Sequence, residues 1–150
     1  VCPSTIVDNA LQLLAHRLKS YNVNIAKKRK QLMPVVNADP EQLKEVLVNI
    51  IVNACEAMSN GGTITIEEQV INEWSAETVI IRIQDTGPGI PASIRQKVFE
   101  PFFTTKEKGT GTGLGLSICH GIIEQHRGTI TIQSSAAQGT VFTIFLPSGE

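Results

Sequence analysis

A chain of 150 residues, 41% of them hydrophobic, is long enough for one ordinary globular domain with a real core. Its formal net charge of −1 gives no electrostatic case for nucleic acid or for an anionic membrane surface as partner. No apolar run approaches a membrane span, nothing at the N-terminus resembles a signal peptide, and no internal repeat or linker interrupts the chain. Beginning at Val1, it reads as a piece excised from a longer protein. Cys2, Cys55 and Cys119 are odd in number and lack metal or redox spacing, so they read as core-filling thiols of a reducing compartment.

In chain order, Thr5 to Lys19 has the pattern of one amphipathic helix, with Ile6, Ala10, Leu13, Leu14 and Leu18 towards the core. Val23–Ala26 and Val35–Val36 are short strand candidates, and the charge run Lys27-Lys28-Arg29-Lys30 between them reads as a solvated hairpin tip. The helix predicted from Asp39 to Met58 has a cap at Asp39, Pro40 at the first helical position and Gln42 where a capping-box partner reaches back. Leu43, Val46, Leu47, Ile50, Ile51, Ala54 and Met58 recur at helical spacing, and Val48, Val52 and Cys55 widen the apolar face. Gln42, Glu45, Asn49, Asn53 and Glu56 form the remaining polar stripe. Two Asn on such a helix need partners, either neighbouring backbone or, as the floor of a site, a hard cation beside a polyanion.

Ser59-Asn60-Gly61-Gly62 stops this helix, and Thr63–Val70 and Thr78–Asp85 then read as strands joined around Glu73-Trp74-Ser75. Pro91–Phe99 reads as a short helix, Glu100–Thr112 as a long loop, and Leu114–His126 as a helix with Leu114, Ile118, Ile122 and Ile123 facing a core. A terminal hairpin, Thr129–Ser134 and Thr140–Leu146, turns across Ala136-Ala137-Gln138-Gly139. Interleaved helices with hairpin strands predict an α+β fold: a mixed sheet with helices on one face.

The loops hold the candidate chemistry. Asp85-Thr86-Gly87-Pro88-Gly89-Ile90 ends a strand of β-branched residues, which puts Asp85 at the edge of the core. There it is either part of a plain turn or a carboxylate that accepts from an exocyclic amine such as adenine's and repels guanine's carbonyl. Gly87 and Gly89 would let backbone approach a planar base. Gly109-Thr110-Gly111-Thr112-Gly113-Leu114-Gly115-Leu116-Ser117 runs from the long loop into a helix, which is either a hinge or an anion site built from free N–H groups at a helix start. It is no Walker A loop, and in no frame is it G-x-G-x-x-G. Thr104, Thr105, Lys106 and Lys108 add hydroxyls and positive charge beside it.

Taken together, the paired Asn, the strand-end Asp before Gly-x-Gly, the Phe-rich Phe99-Glu100-Pro101-Phe102-Phe103, the Gly-rich segment and Gly139-Thr140-x-Phe142 occur in an order that resembles the ATP-binding catalytic domain of two-component sensor histidine kinases. The resemblance covers essentially the whole chain, as a single domain over residues 1–150. It implies the two-layer α/β sandwich of Bergerat type shared with gyrase, Hsp90 and MutL ATPases, with a mobile lid loop at about residues 100–112. It further implies ATP and Mg²⁺ as cofactors, with Asn53 as the Mg²⁺ ligand and Asn49 as a second ligand or phosphate contact. By the same resemblance Asp85 reads adenine with Gly87, Gly89 and Ile90 beside the base, and Thr140 supports the base through water. Gly111, Thr112, Gly113, Leu114, Gly115 and Leu116 are implied over the triphosphate, Phe102 and Phe103 in lid packing, and Lys106 against phosphate.

Hydrolytic relatives carry a Glu one turn before the Mg²⁺ Asn; here that position is Asn49, which has no basic site for a proton, so transfer to a protein side chain is expected. No His of this chain precedes an acidic residue: Arg17 follows His16, Gly121 follows His120 and Arg127 follows His126. The acceptor His is therefore expected on a separate dimerisation domain of the same parent protein, with a response regulator receiver domain downstream and a cytoplasmic location. A hydrolytic ATPase, a nucleotide-binding module without chemistry and a Ser/Thr kinase of the anti-sigma type are the rival readings.

Overall fold

The computed structural model describes residues 1–29, 32–58, 60–73, 76–89, 115–135 and 139–149. Its elements are α1 (Pro3–Leu13), α2 (Ala15–Ser20), β1 (Val23–Arg29), α3 (Pro40–Ala57), β2 (Gly62–Glu73), β3 (Ala76–Asp85), α4 (Gly115–Gln125), β4 (Thr129–Ser135) and β5 (Gly139–Pro147). The strands form one five-stranded sheet in the order β1-β2-β3-β5-β4. β1 joins β2 in parallel, with α3 as the crossover, and every other neighbouring pair is antiparallel. This is the expected mixed sheet.

Alternation along the strands sorts residues onto two faces. Ile64 and Ile66 of β2, Val79, Ile81 and Ile83 of β3, and Phe142, Ile144 and Leu146 of β5 stand in register on one face and are buried. They meet Leu43, Val46, Leu47, Ile50, Ile51 and Ala54 of α3 together with Ile122 and Ile123 of α4 in one core. α3 is therefore the centre of the helical layer, flanked by α1 and α4.

Several local expectations are corrected. The first helix is broken at Leu14 (φ −96°, ψ 4°) into α1 and α2. The buried stripe is Ile6, Ala10, Leu14 and Leu18, at a strict spacing of four, and Leu13, one residue off that stripe, is 63% exposed. Lys27, Lys28 and Arg29 are not a hairpin tip; they lie within β1, in register with Ile66, Glu67 and Glu68 of β2. There Arg29 Nε pairs with the fully buried Glu68, which also accepts from Ser4 Oγ, and Arg29 Nη2 reaches Asp8 Oδ1 at 2.7 Å. The charges thus fasten α1 to the sheet's first edge. Of Val35–Val36, Val36 forms no extended strand: it makes an isolated bridge with Ser148 and exchanges hydrogen bonds with Val1. On α4 the buried side is Cys119, Ile122 and Ile123, with Ile118 41% exposed at its flank. Cys55 and Cys119 are buried thiols as expected, but Cys2 is exposed, preceding Pro3 at the start of α1.

The helix predicted at Pro40 and both C-terminal strands fall where the sequence puts them, while Trp74 and Ser75 of the loop predicted after β2 lie outside the described residues. The predicted helix at residues 91–99, the loop at 100–112 and the hairpin tip Ala136-Ala137-Gln138 lie outside the described residues. Among the described residues no helix is long and apolar enough to cross a membrane.

Candidate functional site

α3 begins as its sequence requires. Asp39 Oδ1 accepts from the N–H groups of Glu41 (2.9 Å) and Gln42 (3.1 Å), and Pro40 occupies the first turn. The reciprocal half of a capping box is absent, because the Asp39 N–H donates to His126 Nε2 at 3.1 Å instead of to Gln42. His126 Nδ1 lies 2.7 Å from the Ile122 carbonyl, and a carbonyl can only accept. The ring is therefore the neutral tautomer with its proton on Nδ1, and the residue just past α4 supplies the cap that α3 lacks.

The apolar stripe of α3 is buried against the sheet, which turns Asn49 and Asn53 to the opposite side, where both are half-buried. α4 crosses α3 in the antiparallel sense. At its first residue, Gly115, an added Cβ would stand 3.7 Å from Asn49 Cγ and 3.8 Å from Oδ1. One turn on, Cys119 Sγ donates to the Val46 carbonyl at 3.7 Å, and burial pushes this thiol's pKa up to about 12. Asn53 is hydrogen-bonded or otherwise engaged as well.

Asp85 ends β3 opposite Ile64, on the helix-covered face, and is only 4% exposed. Its Oδ1 accepts from the backbone N–H of Gly87 at 2.9 Å and of Thr140 at 3.3 Å. Burial raises the carboxyl's pKa, and the two N–H groups pull it part of the way back. Among the described residues both of these bonds go to Oδ1, so the second oxygen is the one left for an incoming donor. Gly87 packs on Met58 and the Ala57 carbonyl, where an added Cβ would lie 3.3 and 3.6 Å away. The end of α3 and the exit of β3 therefore meet there. Gly89 has φ +83°, a conformation that favours glycine.

Thr140 contacts Asp85 through its backbone, while its hydroxyl lies 3.1 Å from Ser134 Oγ on the neighbouring strand. Gly139, absent from the sequence-derived site, is what allows this approach: φ is +78°, and a Cβ would stand 2.1 Å from the Asp85 carbonyl oxygen. Thr86 and Met58 were missed too. Thr86 Oγ1 accepts from Thr63 N at 3.1 Å and sits 3.5 Å from Met58 Sδ, tying the turn to β2 and α3.

The structure thus brings Asp85, Gly87 and Thr140 together at the end of α3, and Asn49 together with Gly115 at the α3–α4 seam. Leu116 follows on α4, half-buried against the core. Ile90, Phe102, Phe103, Lys106, Gly111, Thr112, Gly113 and Leu114 lie outside the described residues. Among the described residues no three His, Cys, Asp or Glu side chains form a metal cage. Two half-buried amides instead suit a hard cation that takes one or two protein oxygens and completes its shell with phosphate and water.

Residues 38–150 match the family described as "Histidine kinase-, DNA gyrase B-, and HSP90-like ATPase". This chain belongs to that family. Within it, the solved relatives include histidine kinases: the catalytic domain of histidine kinase ThkA, nucleotide-free, superimposes with a TM-score of 0.82 at 32% identity, covering 97% of this chain and 93% of that one. ThkA in complex with the response regulator protein TrrA gives 0.79 at 30% identity, covering 99% of this chain and 41% of that one. Among curated relatives, sensor kinase CckA of Brucella abortus (strain 2308) is 42% identical over 148 residues, 91% of this chain and 16% of the relative. Sensor histidine kinase ZraS of Escherichia coli (strain K12) is 37% identical over 144 residues, 96% of this chain and 30% of the relative. The chain therefore spans less than a third of the length of these curated relatives. The histidine kinase catalytic fold expected from the sequence is the fold observed.

Proposed function

We propose that this domain binds Mg²⁺-ATP with the adenine edge at Asp85 and transfers the γ-phosphoryl group to a histidine on a separate dimerisation domain of its parent protein. The observation that carries the reading is the Asp85 carboxylate: buried, held by two backbone N–H groups on one oxygen, and set at the end of the helix bearing Asn49 and Asn53. A buried carboxylate gains from an amine donor such as adenine's, and a carbonyl in its place would repel it. Asn53, with Asn49, would hold Mg²⁺, which when bound neutralises charge on the transferring phosphoryl group. The chain's own share is positioning: Asp85 orients the base, Gly87 and Gly139 keep that pocket free of side chains, and the start of α4 closes over Asn49.

Asn49 has no basic site, so it cannot take a proton from water in a hydrolytic step. His16 is exposed on α2, His120 lies 3.4 Å from Glu124 on α4, and His126 is committed to Asp39 and Ile122. None stands in the site, which supports an acceptor outside this chain. The solved relative bound to a response regulator supports a receiver domain as the next phosphoryl acceptor, and a cytoplasmic setting follows from a supply of ATP. Residues 1–150 would then act as one catalytic domain, with Lys106 and the glycine-rich segment at the phosphates.

Incubation with γ-labelled Mg²⁺-ATP tests this, with the domain alone and with a dimeric helical fragment bearing the acceptor His of the same parent. Acid-labile label on the fragment, with little free phosphate from the domain alone, is the expected result. Rapid phosphate release without acceptor would replace this reading by hydrolysis, and binding without either would leave a nucleotide-binding module.

A further inference from the structure

Near its end β4 carries Ser134, which has no part in the site described above. Strand alternation puts Ser134 on the side of Ile130 and Ile132, and Thr140 on the side of Phe142, Ile144 and Leu146. Asp85 shares that helix-covered face with Val79, Ile81 and Ile83. Ser134 is the register partner of Thr140, and the Thr140 N–H reaches Asp85 Oδ1. Three polar side chains on adjacent strands therefore stand together where the listed neighbours along each strand are apolar. Such a placement is costly unless the groups are hydrogen-bonded, so their bonds can be followed one by one.

Partners decide where a hydroxyl proton goes. Ser134 Oγ lies 3.2 Å from the Gly139 carbonyl oxygen and 3.1 Å from Thr140 Oγ1. The carbonyl can only accept, so the single Ser134 proton belongs to it. The opposite assignment would turn a Ser134 lone pair against that carbonyl at hydrogen-bond distance. Ser134 thus accepts in its contact with Thr140, and Thr140 is the donor. With that proton engaged, Thr140 Oγ1 has only lone pairs left to offer. The Asp85 carboxylate beside it likewise only accepts.

Purines differ at the 6-position in the matching sense: adenine has an amine there, whereas hypoxanthine and guanine have a carbonyl. A Thr140 hydroxyl free to rotate could turn its proton to such a carbonyl, directly or through a water. We propose that Ser134 is a positioning residue for base selectivity: by holding the Thr140 proton it keeps the pocket beside Asp85 acceptor-only, which favours a 6-amino purine and leaves a 6-oxo purine without a donor from either side chain. This rests on the reading of Asp85 as the group that meets adenine.

The test uses the whole domain and calorimetric titrations of ATP and ITP at one fixed Mg²⁺ concentration; ITP changes the 6-position without adding guanine's 2-amino group. Ser134→Ala releases the Thr140 proton, and the ratio of ATP to ITP affinity should fall about three- to tenfold, the worth of one hydrogen bond. Ser134→Thr, which keeps the hydroxyl, should restore most of the ratio. In a Thr140→Val background Ser134→Ala should leave the ratio where Thr140→Val alone sets it. If Ser134→Ala fails to fold, Ser134→Cys keeps the volume with a weaker donor and acceptor, and should give a smaller fall of the same sign.

A purely structural Ser134 would weaken ATP and ITP together and leave their ratio unchanged, which would overturn the proposal while a lowered ratio in Asp85→Asn kept Asp85 in its role. A further fall in the double variant below Thr140→Val would also overturn it, since Ser134 would not act through Thr140. A wild-type domain that binds ATP and ITP equally, or an unchanged ratio in Asp85→Asn, would remove the adenine reading of Asp85 and this proposal with it.

Discussion

In an Asp85→Asn domain the amide keeps the carboxylate's shape, and its oxygen can still accept from Gly87 and Thr140. What changes is the charge and the character of the second terminal atom, which in the proposed complex becomes an NH₂ donor facing the adenine amine. Losing a hydrogen bond to a charged acceptor costs about 1.5–3 kcal/mol, so ATP affinity should fall about ten- to a hundredfold, with preference over GTP falling too. Stability should move the other way. Burial holds this carboxyl above its usual pKa, so the folded chain keeps the proton to higher pH than the unfolded chain does. Between those two values the native state binds more protons, and stability falls as pH rises through the window. At neutral pH the carboxylate therefore carries a cost that Asn lacks. The nucleotide-free variant should melt higher than wild type at pH 8, with the gap narrowing as pH falls through the carboxyl range. Each 1 kcal/mol moves the midpoint of a domain this size by about 4 °C, within reach of calorimetry. Unchanged ATP affinity, or a variant that melts lower than wild type by the same margin at every pH, would refute the reasoning.

Asn53→Ala should impair Mg²⁺-dependent transfer more than metal-free ATP binding, compared by titration with and without chelator; equal loss of both would count against metal ligation. Gly139→Ala places a Cβ 2.1 Å from the Asp85 carbonyl oxygen at φ +78°, so urea unfolding should show a loss of at least about 2 kcal/mol, with weaker ATP binding by the folded fraction. Arg29→Leu leaves Glu68 buried without its cation and should cost about 3 kcal/mol of stability, partly recovered in Arg29→Leu/Glu68→Leu, while the folded fraction still binds ATP. His126→Ala should lower stability by about 1 kcal/mol through the unfilled Asp39 N–H, and His126→Gln, which offers both a donor and an acceptor, should recover part of it in thermal melts.

Features written locally were legible in the sequence. The start of α3 follows from Asp39-Pro40, its buried face from the spacing of Leu43 to Met58, and the hairpin of β4 and β5 from alternation around a glycine. Asp85 was readable because a carboxylate at the end of a β-branched strand is costly unless it has work to do. What escaped was set by contacts distant in sequence. Lys27-Lys28-Arg29 looks like a solvated run until β1 pairs with β2 and brings Glu68 beneath Arg29, thirty-nine residues away. The His126–Asp39 contact spans eighty-seven residues, and a single His on a helix gives no sign of a cap for another helix. Gly139 reads as an ordinary hairpin residue until Asp85 is found against it. The break at Leu14 has its signal in the sequence: Ile6, Ala10, Leu14 and Leu18 leave no room for Leu13 on the same stripe.

The last strand of the chain is not at the edge of the sheet but inside it, between β3 and β4. A ribosome delivers the elements in sequence order, so β3 and β4 emerge as separate edges with a gap that only β5 can fill. Until it does, Phe142, Ile144 and Leu146 are missing from the core and Thr140 cannot hold the Asp85 carboxylate. Completion of the sheet and fixing of the Asp85 carboxylate are thus one late event. If Asp85 reads adenine as proposed, a nascent chain lacking β5 would have no formed pocket for nucleotide, and ATP would select the finished domain over its own intermediates.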